Sequence, residues 1–106
     1  MPKYLLETNY TLEGVRGVLA KGGSARRAAA QAAAESAGGS IEAFYFAFGG
    51  VDVFVIADMP SNEAAAALAL TVSAGGGATV KTTVLLSPEE IDAAAQQSVS
   101  YTPPGS

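Results

Sequence analysis

Five polar residues stand at positions where they could meet a small molecule: Glu7, Asn9, Tyr45, Asp52 and Lys81. Lys3 to Tyr10 reads as a strand, so Leu5, Glu7 and Asn9 share one face, opposite Tyr4, Leu6, Thr8 and Tyr10. The last strand of the chain offers Thr79, Lys81 and Thr83 on one face, and Glu7 and Lys81 could pair across strands. A carboxylate in that place is either a base beside a ligand or half of a structural ion pair. Asp52 follows Gly49-Gly50. It can shape a hairpin by accepting backbone hydrogen bonds, or join Tyr45 and Asp58 at the mouth of a site.

A second group is Ser24, Arg26 and Arg27, just after Gly22-Gly23. Glycines leading into a helix N-terminus can hold an anion. Arginines in a first turn oppose the helix dipole, so something acidic should offset them. A ligand phosphate or carboxylate would serve, and so would a carboxylate of the same or a neighbouring subunit. The stretch lacks the lysine and spacing of a P-loop and the pattern of a dinucleotide fingerprint.

Much chemistry is excluded by composition. The 106 residues include no histidine and no cysteine. Serine and cysteine triads, thiol redox work and the usual zinc sites therefore fall away. The acidic residues do not cluster at ligand spacing, so no metal is expected, nor any cofactor. A net charge of −4 argues against nucleic acid as a partner. No stretch approaches the roughly 20 apolar residues of a membrane span, and the first apolar run is too short for a signal peptide. The expected location is the cytoplasm.

The elements that must carry these residues follow from local signals. Thr11 caps a helix with Leu12, Val15 and Leu19 at helical spacing, and Glu13 and Arg16 can pair on its outer face. Ser24 reads as the cap of a second helical piece that stops near Gly38-Gly39, with Ala25, Ala28, Ala29 and Ala32 as one stripe and Arg27, Gln31 and Glu35 as the opposite one. Ile41 to Phe48 and Asp52 to Asp58 are strands joined by a tight Gly49-Gly50 turn. Ser61 caps a helix to about Ala74, Gly75-Gly76-Gly77 ends it, and Ala78 to Leu86 is the last strand. Ser87-Pro88-Glu89-Glu90 opens a short extra helix through roughly Gln97. The class is α+β, with order βαββαβ and an antiparallel sheet. Residues 1–98 form one domain and residues 99–106 a flexible tail.

Both faces of this sheet ask for burial. Phe44, Phe46 and Phe48 point one way, and Ile41, Ala43, Tyr45 and Ala47 the other; Val53, Val55 and Ala57 oppose Phe54 and Ile56. Helices cover one side. Only the short last helix remains for the other, so a second copy of the chain is the simplest cover. Charged residues are only 15% of the chain, against about 25% in ordinary soluble domains, which agrees with a covered surface.

Lys3-Tyr4-Leu5-Leu6, Tyr10-Thr11-Leu12-Glu13-Gly14-Val15, Gly23-Ser24-Ala25-Arg26-Arg27, Glu42 to Gly49 and Lys81 to Leu86 resemble the GYD-domain family. The likeness runs from about Pro2 to about Ala95. The family's Gly-Tyr-Asp triplet reads Gly50-Val51-Asp52 here, without the tyrosine. The resemblance implies a ferredoxin-like fold assembled as a dimeric α/β-barrel. The expected function is an oligomeric small-molecule-binding or sensing module, with a small organic ligand between facing sheets. A cofactor-free enzyme of monooxygenase or isomerase kind and a structural assembly subunit are the other readings.

Overall fold

A computed structural model describes residues 1–105; Ser106, the last residue of the expected tail, lies outside the described residues. The order is β1 (Lys3–Tyr10), α1 (Leu12–Lys21), α2 (Gly23–Ser36), β2 (Ser40–Phe46), β3 (Val53–Asp58), α3 (Asn62–Ala74), β4 (Ala78–Leu85) and α4 (Pro88–Ala95). The sheet is antiparallel in the order β2-β3-β1-β4. This is the ferredoxin-like α+β arrangement expected from the sequence.

Alternation in the two inner strands sets the core. Tyr4 and Leu6 of β1 and Val53, Val55 and Ala57 of β3 are buried on the helix side, with Met59 just beyond. Ala34 of α2 and Ala65 and Leu68 of α3 cover them. The Tyr4 hydroxyl donates to Asn62 Oδ1 at 2.6 Å, tying β1 to the start of α3. Ser61 caps α3, and Ser87 and Glu90 form a complete capping box at α4. These ends follow the sequence signals, because a capping hydroxyl satisfies amides that the helix itself cannot.

Several expectations are corrected. Gly22, not Ser24, caps α2, and no side chain bonds to the exposed amides there. Gly22 holds φ at +86°, so the chain turns sharply and restarts the helix at once, placing Ser24 inside its first turn. Ala33 and Ala34 of α2, with Ala37 just after it, pack on the core; Ala25, Ala28, Ala29 and Ala32 are all exposed. A run of alanines has no apolar contrast from which to read a phase.

Leu12, Val15 and Leu19 of α1 face solvent, and the inward side is Gly14, Gly17 and Val18. Thr11 is fixed to the glycine turn after α3, its amide donating to Gly77 O at 3.0 Å and its hydroxyl to Gly76 O at 2.8 Å. Gly14 then meets Gly77 backbone so closely that a Cβ would collide with the Gly77 carbonyl. Backbone approach therefore orients α1, against its apolar pattern. Glu13 and Arg16 form no ion pair; among the described residues, ion pairs join Lys3 to Glu42 and to Asp58.

The phase of β2 also differs. A bulge at Glu42 sets Ile41 opposite Ala57 but Ala43 opposite Ile56. Ile41 thus shares the helix side with Phe44 and Phe46, and Ala43 and Tyr45 face the open side. The hairpin is no two-residue turn. β2 stops at Phe46 and the loop runs from Ala47 to Asp52, closed by Ala47 N–H donating to Asp52 O at 2.9 Å.

The last helix does not cover the open sheet face, for it has no buried residue. The chain is long, 57 × 33 × 22 Å, with a radius of gyration of 16.9 Å. A compact domain near this length has about 13 Å.

Candidate functional site: a cleft between the helices and the sheet

α2 and α3 lie on the same sheet face with a gap between them. The floor of the gap is Leu6, Val53, Val55 and Phe44. Its walls are Ala29, Ala30 and Ala33 from α2 and Leu68, Ala69 and Val72 from α3. Alanine side chains are too short to meet the opposite helix, and a cavity of about 110 Å³ remains. Three polar side chains reach its lining: Thr8, Tyr10 and Arg26. Tyr10 and Arg26 also line a wider depression outside it, with Glu13 and Lys21 of α1. Apolar interior and charged mouth thus meet at Arg26 and Tyr10. The break at Gly22 places Arg26 here, four residues on and over the gap.

The residues singled out by sequence are not one constellation. Glu7 and Lys81 are register partners on the open sheet face, with Phe54 opposite Glu7 on its other side. They form no ion pair, so the expected pairing stops at adjacency. Asn9 and Asp52 serve the backbone: Asn9 Oδ1 accepts from Asp52 N–H at 3.0 Å, and Asp52 Oδ2 accepts from Tyr10 N–H at 2.9 Å. Asp52 is the last residue of the Gly50-Val51-Asp52 triplet, and it clamps the hairpin loop to the end of β1. Tyr45 is exposed on the open side of β2.

The three members of the proposed anion site separate. Ser24 and Arg27 line a shallow groove beside the edge strand β2, with Gln31 and Glu42. Arg26 instead lines the cleft between α2 and α3. Neither arginine has an ion pair among the described residues. No group of acidic residues able to hold a metal occurs among them, and no described helix is long and apolar enough to cross a membrane.

The profile of the GYD domain matches residues 4–95, from β1 to the end of α4. The chain belongs to the GYD-domain family. No curated protein and no solved structure matches it significantly. Within this GYD domain, sequence reasoning missed the cleft because its walls are alanines, which carry no signal of a site. The usable signal was the pairing of two alanine-rich helices with a full-sized apolar sheet, which leaves volume unfilled.

At the far end of the open face, Lys3 Nζ lies 2.6 Å from Glu42 Oε1 and 2.8 Å from Asp58 Oδ1. Hydrogen bonds to Asp58 and then to Glu42 raise the lysine above its usual 10.5. The group is exposed, so screening keeps its effect on stability small.

Proposed function

We propose that this GYD domain is a binding module for a small, mainly apolar molecule, and that it works as an oligomer joined through its open sheet faces. The cleft under α2 and α3 carries the first part. Its volume is about 110 Å³, its lining is mainly apolar, and a few polar side chains join that lining, which is the make-up of a small-molecule site. The expected site between facing sheets is less well supported, because Asn9 and Asp52 are engaged in holding the hairpin. The second part rests on Leu5, Phe54 and Ile56. They share the open face with no element of the chain over them, and Phe54 is 40% exposed.

Native mass spectrometry of protein purified from its own cell tests both parts. The expected result is a dimer or larger assembly with a reproducible extra mass, lost in Ala30→Leu, which fills the cleft. A clean monomer would overturn the pairing of sheets. A retained mass that survives Ala30→Leu would move the ligand out of the cleft.

A further inference from the structure

The charge pattern at the cleft mouth says what kind of molecule fits. Arg26 is half-buried and lines the cavity, and its side chain has neither ion pair nor hydrogen bond among the described residues. Tyr10 lines both the cavity and the outer depression with it, and the Tyr10 hydroxyl has no hydrogen bond among the described residues either. An unpaired guanidinium among apolar lining residues is satisfied best by a planar acceptor able to take two parallel bonds, which is the geometry of a carboxylate. Glu13 and Lys21 line the outer depression with opposite charges, so the mouth as a whole carries one net positive charge. One negative charge suits that balance, and a second would meet Glu13. The interior limits the tail. An engineered protein cavity of about 150 Å³ takes benzene, and this one holds about 110 Å³ before the depression widens it.

Resting on the binding reading above, we infer that the ligand is a small monocarboxylic acid. Its apolar tail, about the size of a phenyl ring, lies between α2 and α3. Its carboxylate meets the Arg26 guanidinium and the Tyr10 hydroxyl. Arg27, on the neighbouring position, faces the β2 groove and takes no part.

Calorimetric titration of the full chain with 4-phenylbutyrate and with its neutral amide, 4-phenylbutyramide, tests this. The acid should bind at least tenfold more tightly than the amide. Arg26→Gln should bring the acid down to the level of the amide and leave the amide unchanged, whereas Arg27→Gln should change neither. Arg26→Lys, which keeps charge but loses the fork, should fall between. Thermal melts of each variant confirm folding. Equal binding of acid and amide, or an acid affinity untouched by Arg26→Gln, overturns the carboxylate assignment and leaves the cleft a neutral-ligand site. Failure of both probes to bind the unmodified chain overturns the cleft itself.

Discussion

The two faces of this sheet are built from similar residues and reach opposite ends. On the covered face Tyr4, Val53 and Met59 are 1%, 1% and 0% exposed, under helices made largely of alanine. On the open face Phe54 is 40% exposed and Tyr45 71%. The covered face has a roof that is too thin, and the open face has no roof within the chain. Under the proposed function each deficit is met from outside, by a small molecule in the first case and a second chain in the second. Apolar surface is thus informative only together with what lies above it.

The comparison can be broken first at the covered face. Met59→Ala should cost about 2–5 kcal/mol, because the side chain is fully enclosed in the core. Urea unfolding should show it as a lower midpoint with an unchanged slope. The open face should respond differently. Phe54→Asp should weaken association by about 2–4 kcal/mol, as an interface anchor does, with the monomer still folded. Sedimentation velocity at several concentrations reads that effect, and an unchanged assembly would assign the oligomer to another surface.

The corner where the two faces meet at the hairpin is sharpened by Asp52→Ala. It leaves the Tyr10 amide without its partner and should cost about 1.5–3 kcal/mol. Asp52→Asn should cost less, since an amide oxygen can still accept. The smallest effect is at Lys3. Its raised pKa means the ammonium is favoured in the folded chain, through Asp58 first and Glu42 second. That contribution is fully present below 10.5 and fades as pH rises through the raised value. The stability difference between the unmodified chain and Lys3→Met should therefore shrink above pH 10.5.

What the sequence made legible was local chemistry with one partner. Thr11, Ser61 and the Ser87-Pro88-Glu90 cap were readable because a hydroxyl and the amides it serves lie within one turn. The alternation in β1 and β3 was readable because a period of two is strict. Its phase in β2 was lost at a single extra residue, Glu42, since one bulge moves every side chain before it to the other face. The orientation of α1 was hidden for another reason. It depends on Gly14 reaching Gly77, a contact between residues far apart in sequence that have no side chains. Arg26 was read together with Arg27 as one group, and adjacency in a helix separates such neighbours by about 100°. The cleft itself was invisible, because unfilled volume has no residue to announce it.

The most direct test of the account is backbone amide NMR of the full chain titrated with 4-phenylbutyrate. The account predicts shifts at Arg26, Ala30 and Ala33 of α2 and at Leu68 and Val72 of α3, with the open face unchanged. Shifts gathered instead at Glu7, Phe54 and Lys81 would contradict it and place the ligand between facing sheets.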